Sequence, residues 1–433
     1  MQLVAYGAQD VYLTGQPKVT FFQAVYKRHT NFAMENIQQT VNGTPSDGGR
    51  VSVTIARNGD LVGNMYVALQ PTLAATGNLT STNGTVGYDT CWVAERAIAA
   101  VELTIGGQRI DKHYQTWFRL YAECFLNEAD KINYGKLTSS QLNDTTNKNY
   151  VYLPLLFFFN RNPGLYLPLI ALQYHEVRLD FDLTSTFSKY FGTSSQVFEV
   201  WANYVYLDTE ERRRFAQKGH EYLIEQVQHT GGDSITATSQ TVRLSFNHPV
   251  KELVWCYQNT TSTATNSMWN FSTSAANVNV TVAATPAAIG APLPHTVGCP
   301  RLFSNTSGVA NVFWIEEGTA VAGAAGNEVG PLKDFKLVLN GQDRFKEQLG
   351  KYFNQYQPYV YHSGTPYPGI YVYSFALQPE EHQPTGTCNF SRIDNAQVSL
   401  NMKSLAVPLQ KMFAVNYNIL RIQSGMGGLA FSN

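Results

Sequence analysis

Apolar residues recur at every second position along much of the chain. Val51, Val53 and Ile55 are spaced by Ser52 and Thr54, and Val177, Leu179, Phe181 and Leu183 by Arg178, Asp180 and Asp182. Val242, Leu244 and Phe246 are spaced by Arg243 and Ser245, and Phe335, Leu337 and Leu339 by Lys336 and Val338. Neighbouring strand side chains point to opposite faces, so this period predicts half-buried antiparallel strands. Gly, Pro and Asn punctuate the runs, which fits sandwiches or barrels rather than βαβ units. The chain reads as all-β.

Helical spacing is confined to two places. Trp117, Leu120, Tyr121, Cys124 and Phe125 form one apolar stripe between His113 and Ala129. The stretch from Asp208 to Ala216 reads as a short charged helix, with Asp208 as cap, Glu211 three residues on and an Arg run at the far end. Its position near the chain midpoint predicts a connector between two β domains. LTIGGQRI (103–110) resembles LVLNGQDRF (337–345), each a strand, a Gly-centred tight turn, then Gln and a basic residue, and IALQ (170–173) resembles FALQ (375–378). The first half holds more residues between these two motifs, a surplus about the size of the helical insert. Such pairs point to two similar domains with unequal loops. The Ala-, Thr-, Asn- and Ser-rich stretch from Asn259 to Gly330 carries Trp269, Phe271, Phe303, Phe313 and Trp314, and predicts an elaborated outer loop.

The longest apolar stretch, Tyr150 to Tyr174, is broken by Asn160, Arg161, Asn162 and Pro163, and reads as a turn between buried segments, not a membrane span. The N-terminus has no basic start and apolar core of the signal-peptide type, so cytosolic synthesis is expected. Charged residues are only 15% of the 433, the formal net charge is -1, and there are 25 Tyr and 24 Phe. No direct nucleic-acid binding is expected from this balance. A chain so poor in charge must cover surface with uncharged polar groups or bury it against partners.

Candidate chemistry is sparse. The 5 cysteines (Cys91, Cys124, Cys256, Cys299, Cys388) are scattered without a CxxC pair, which argues against a disulfide framework or zinc ribbon. Of the 9 histidines, His175 precedes Glu176 in a strand pattern and His220 has no second His four residues on. His248 precedes Pro249, and His382 sits in a loop; all four read as polar loop or edge residues. GMGG (425–428) lacks the Lys of a phosphate loop. Glu210-Glu211 and Glu380-Glu381 are sequence neighbours, seldom the opposed pair that glycoside hydrolysis needs. The Arg212-Arg213-Arg214 run reads as a solvated helix end. No catalytic, metal or cofactor site is predicted. Among the Asn-x-Ser/Thr sites, Asn259, Asn270, Asn279 and Asn305 cluster in the presumed outer loop, where a glycan would fit best.

The opening LVAYGAQDVYLTGQPKVTFFQAVYKRHTNFA, and then VELTIGGQRIDKHY, PLIALQYHEVRL, FNHPVKELVW, LNGQDRF, IYVYSFALQPEEHQPTGTCNFSRIDNA and NYNILRIQSGMGGLAFSN, span the chain in order. Together they resemble the major capsid proteins of large icosahedral double-stranded DNA viruses of eukaryotes, the nucleocytoplasmic large DNA viruses, in particular those of the chlorella-virus (phycodnavirus) type. The resemblance implies two consecutive eight-stranded antiparallel jelly rolls. It implies a homotrimer forming a pseudo-hexagonal capsomer, which tiles the outer capsid beside neighbouring capsomers and over minor capsid proteins on the inner face. On that basis residues 1–18 are expected to form an N-terminal segment on the inner capsid face, and 19–207 the first jelly roll with a helical insert near 113–150. Residues 208–219 would form the linker helix, and 220–433 the second jelly roll with its long outer loop near 259–330. Synthesis and assembly in the host cytoplasm, and no enzymatic role, are expected with it. The block 375–396 mixes turns with the charges Glu380, Glu381, Arg392 and Asp394, and reads either as a crossover loop within one subunit or as an intersubunit clamp. Two other classes compete: a carbohydrate-binding β-sandwich using aromatic loops, and a β-sandwich glycosidase using two of the acids.

Overall fold

The computed structural model describes residues 7–13, 15, 22–24, 26–71, 92–138, 150–192, 198–258, 271, 278–281, 301–304, 310–317, 330–364, 366, 369–403, 405 and 408–431. The alternating runs form strands. In the first half these are β1 (Phe32–Gln39), β2 (Arg50–Thr54), β3 (Leu61–Leu69), β4 (Ile98–Ile105), β5 (Gln108–Tyr114), β6 (Val151–Pro154), β7 (Val177–Leu183) and β8 (Phe198–Leu207). In the second half they are β9 (His220–His229), β10 (Ser239–Leu244), β11 (Pro249–Gln258), β12 (Leu332–Leu339), β13 (Gln342–Asp343), β14 (Ile370–Ser374), β15 (Ala396–Met402) and β16 (Leu409–Gln423), closed by the hairpin strand β17 (Met426–Leu429).

The sheet orders repeat. In the first half one sheet runs β1-β8-β3-β6 and the other runs β2-β7-β4-β5, with a short strand Val41–Asn42 beside β2. In the second half the orders are β9-β16-β11-β14 and β10-β15-β12-β13. Each strand of the first unit therefore has its counterpart eight strands later, and the pairings are antiparallel. This is the double jelly roll. Each sandwich keeps its own core, because the inward side chains of its two sheets interdigitate. The first core includes Val53, Val67, Val101, Leu179, Phe181 and Val200; the second includes Leu253, Trp255, Phe335, Val398, Leu400 and Ala414.

Three two-residue hairpin turns carry both central residues at positive φ: Gly106 (58°) with Gly107 (82°), Asn340 (52°) with Gly341 (77°), and Ser424 (54°) with Gly425 (80°). That is the mirror-image turn whose twist matches the strands it joins. The first two join β4 to β5 and β12 to β13, so the similar motifs LTIGGQRI and LVLNGQDRF occupy equivalent hairpins.

Helices lie outside the sandwiches. The apolar stripe forms α1 (Gln115–Phe125), and a second helix, α2 (Glu128–Thr138), follows it. The Asn160–Pro163 break forms α3 (Phe158–Arg161) and a single turn Pro163–Leu165. Among the described residues no helix is long and apolar enough to cross a membrane. The connector is α4 (Thr209–Gln217). Asp208 occupies its N-cap position, yet its side chain makes no capping bond, so the expected capping box does not form. The start of the helix is held instead by Asp60, whose carboxylate accepts from Leu207 N–H at 2.8 Å and lies 3.0 Å from Arg212 Nε. Within the stretch Asn259 to Gly330, Val278–Thr281, Arg301–Ser304 and Ala310–Glu317 pair into a small sheet, and Phe271 is buried. Trp269 lies outside the described residues.

Candidate functional site

Many of the described buried charged and polar side chains line the seam between the two β units, and α1 is its centre. Trp117, Leu120 and Cys124 bury one face of the helix against the outer surface of the second unit, on Val254 and Cys256 of β11, Val372 of β14 and Phe413 of β16. Phe118, on the opposite flank, enters the first core. One helix thus joins the first core to the outer face of the second unit, and its three-to-four-residue spacing is what allows it.

The charged groups of α1 are paired with their surroundings. Arg119 lies 3.8 Å over the Trp92 ring and reaches Glu123 at 2.9 Å and Glu95 at 3.4 Å. Tyr134 of α2 donates to Glu95 at 2.7 Å. Burial nevertheless dominates and raises the Glu95 carboxyl, although Arg119 and Tyr134 pull the other way.

Two further joints flank the helix. At its C-terminal end, Gly364 N–H donates to Cys124 O at 3.2 Å. A β-carbon at Gly364 would stand 2.5–2.7 Å from the carbonyl oxygens of Glu123, Cys124 and Leu126, so only glycine permits this approach. Beside it, fully buried His362, which follows α5 (Gln357–Tyr361), meets the Phe125 ring edge-on at 5.0 Å, Glu252 at 3.1 Å and Glu380 at 3.4 Å. Burial pulls the imidazole down, but the two carboxylates outweigh it and push it up to about 9.

On the other flank, Glu225 of β9 sits 2.7 Å from Lys251 Nζ, 3.0 Å from Arg161 of α3 and 3.5 Å from His382. Burial raises this carboxyl, and His382, Lys251 and Arg161 overturn that and hold it at about 2. The neighbouring Gln226 amide donates to Ile110 O, and Val227 N–H donates to Asp111 at 3.2 Å. Asp111 pairs at 2.9 Å with His113, both buried.

The C-terminal hairpin is a third joint. Tyr174 N–H donates to Gly425 O at 3.0 Å, Gly427 N–H to His175 Nδ1 at 3.1 Å, and Leu429 N–H to the Gln108 side chain at 3.1 Å. A β-carbon at Gly427 would lie 2.6 Å from Leu172 Cδ2. The GMGG run therefore serves close backbone approach. His175 and Glu176 precede β7 instead of lying within a strand.

The sequence-derived candidates are placed as follows. Asn259, Asn270 and Asn305 lie outside the described residues, and Asn279 lies in the strand Val278–Thr281. Glu380 joins His362 and also accepts from Ser363 N–H at 2.8 Å within the same chain. Glu381, Arg392 and Asp394 are exposed. Sequence reasoning missed His113, His362 and the partnership of His382, because nothing local marks them. Among the described residues no cluster of three or more His, Cys, Asp or Glu side chains is placed to hold a metal ion, and Cys124, Cys256 and Cys388 are free thiols.

Known proteins match this arrangement over its full length. Residues 211–428 match the family described as large eukaryotic DNA virus major capsid protein, and residues 20–208 match the major capsid protein N-terminus. The chain is 43% identical to the major capsid protein of Paramecium bursaria Chlorella virus 1, covering 100% of this chain and 99% of that one. It is 39% identical to the major capsid protein of Phaeocystis pouchetii virus over the same shares. Among solved structures, a quasi-atomic model of the PBCV-1 virus capsid superposes with a TM-score of 0.69 at 40% identity, covering 96% of this chain and 100% of that one. The Faustovirus major capsid protein shares the fold at a TM-score of 0.66 and 14% identity, over 96% and 94% of the two chains. These relatives support a shell-building role, and none supports the carbohydrate-binding reading.

Proposed function

The chain belongs to the major capsid protein family of large eukaryotic DNA viruses, and from that premise we propose that it closes into a homotrimer whose six β units form a pseudo-hexagonal capsomer. It is a structural component of the virion capsid, assembled beside neighbouring capsomers. The observation that carries the trimer is the duplicated strand order within one welded chain. Two like units held rigidly side by side present two similar edges, and three copies then make six. Contacts in such a ring are heterologous, one patch meeting a different patch.

In this reading 19–207 and 220–433 are the two jelly rolls and 208–219 the link between them. The N-terminal segment faces the capsid interior in this reading, which is supported by the described residues 7–13, where Val11 and Tyr12 are exposed and no strand of either sandwich forms. It would dock on neighbouring chains or minor capsid proteins, and Asn259, Asn270, Asn279 and Asn305 would be the glycan acceptors on the outside. The protein's work is adhesion to copies of itself, without enzymatic turnover, and its assembly belongs in the host cytoplasm. Size-exclusion chromatography with light scattering tests the central point. The purified chain is expected at about three times 48.2 kDa, and a stable monomer overturns the reading.

A further inference from the structure

The two outer sheets that correspond by strand order are treated unequally. The sheet β9-β16-β11-β14 has its outer face covered by α1, the helix that leaves β5 and precedes β6. Its counterpart β1-β8-β3-β6 has no such cover among the described residues. Register places Met34 opposite Val205, Trp201 opposite Tyr66 and Tyr152 opposite Ala68, alternating with the core residues Ala202, Met65 and Val67. Met34 and Tyr152 are exposed and Trp201 and Tyr66 are half-buried, so an aromatic-rich face points away from the core. Tyr, Trp and Met are the residues enriched where proteins meet.

The second unit carries the missing cover in the equivalent position. After β13 and the short strand Gln348–Leu349, and before β14, runs a helical segment, 350–361, composed of a π turn (Tyr352–Tyr356) and α5. Phe353 enters the second core just as Phe118 of α1 enters the first. Setting these two side by side, the α1 stripe Trp117, Leu120, Tyr121, Cys124 and Phe125 falls on Tyr352, Gln355, Tyr356, Tyr359 and Val360. In α1 that stripe is spent on the second unit. In 350–361 its later part faces solvent: Tyr359 is 85% exposed, and Tyr356 and Val360 are also exposed, while Tyr352 is half-buried against the second core. With Lys351 and Gln355 these tyrosines line a shallow groove of about 530 Å³. The segment's single charge is Lys351, and the open sheet face carries Glu199, beside Trp201.

We propose that the helical segment 350–361 of one chain seats on the open outer face of β1-β8-β3-β6 in a second copy, repeating between chains the helix-on-sheet joint that α1 makes within the chain. This rests on the trimer reading and gives it residues. Helix and sheet face are different surfaces of the same chain, so the contact is head-to-tail and propagates around a ring until it closes.

The full-length chain, with Tyr359→Asp and Met34→Asp made separately, tests it by light scattering alongside thermal melting. Both side chains are exposed in the single chain, so each variant is expected to fold and melt cooperatively, with a melting temperature lowered only by the lost subunit contacts. Each is expected to fall from about three times 48.2 kDa to a single chain, roughly a threefold loss of mass. If the unchanged protein is a trimer and both variants remain trimers, the docking proposal is overturned while the trimer stands. If the unchanged protein is a monomer, both fall. A second measurement is independent of assembly loss: a chain carrying Met34→Cys and Tyr359→Cys should give interchain cross-links with a short bismaleimide beyond those of the unchanged protein, which neither single-substitution control gives. Absence of those cross-links in a trimer also overturns the proposal.

Discussion

The outer faces of the two corresponding sheets differ in chemistry as well as in cover. On β11, β14 and β16 the face is mainly apolar, with Val254, Cys256, Ile370, Val372, Phe413 and Val415 packed in the cluster that α1 covers, and its charged residues Glu252 and Lys411 are paired with His362 and Thr116. On β1, β3, β6 and β8 it is amphipathic, with Met34, Tyr66, Tyr152 and Trp201 set among Asn36, Gln38 and Asn203. An aliphatic face is tolerable only if it is covered during folding of its own chain, since exposed it would drive aggregation. A face of tyrosines and amides can wait in water and still bury well later. With the docking proposed above, the difference teaches that one joint belongs to folding and the other to assembly.

That contrast can be broken at the seam. The largest effect is expected from Trp117→Ala, which empties the space between α1 and the second unit. It should cost about 3–5 kcal/mol, and calorimetry should show one cooperative transition separating into two. A single unshifted transition would mean that α1 does not weld the units.

The pH profile sharpens the comparison next, with about 3 kcal/mol at each end. Glu225 is held at about 2 against an ordinary 4.5, so its contribution is present above pH 4.5 and is lost as pH falls toward 2. His362 is raised to about 9 from an ordinary 6.5, so its contribution is full below pH 6.5 and is lost as pH rises through 9. Melting curves across pH should therefore fall at both ends. Glu225→Gln should flatten the acid side and His362→Gln the alkaline side; profiles indifferent to both changes would sever the link. The smallest effect is expected from Gly364→Ala, about 1–3 kcal/mol of overpacking against three backbone carbonyls. Hydrogen exchange should localise it to the end of α1, and exchange unchanged there would show that the seam tolerates the methyl group.

Much of this architecture was legible locally. Alternation marked β2, β7, β10 and β12, because a strand's two faces are written two residues apart. The stripe in α1 was legible for the same kind of reason, and Gly106-Gly107 and Asn340-Gly341 announced equivalent hairpins through their tolerance of positive φ. Helix α2 was not, since Gly135 interrupts it and its apolar residues make no single stripe. Asp208 had the right identity for a cap, but its position alone could not say whether the side chain would turn back to the helix.

The seam chemistry could not be read at all. Arg161 and Glu225 are 64 residues apart, and Gln226 finds Ile110 at a separation of 116. His362, Glu252 and Glu380 come from three different segments, and each looks like an ordinary polar residue in its own neighbourhood. Local spacing alone determined that there would be strands, tight hairpins, an apolar helix and two similar halves, because dihedral preference and side-chain period act over a few residues. Which charges would meet, which glycine would admit a backbone, and which of two like faces would be covered were decided only when the chain closed on itself. Burial and Coulomb energy depend on distance in space, and the sequence records only distance along the chain.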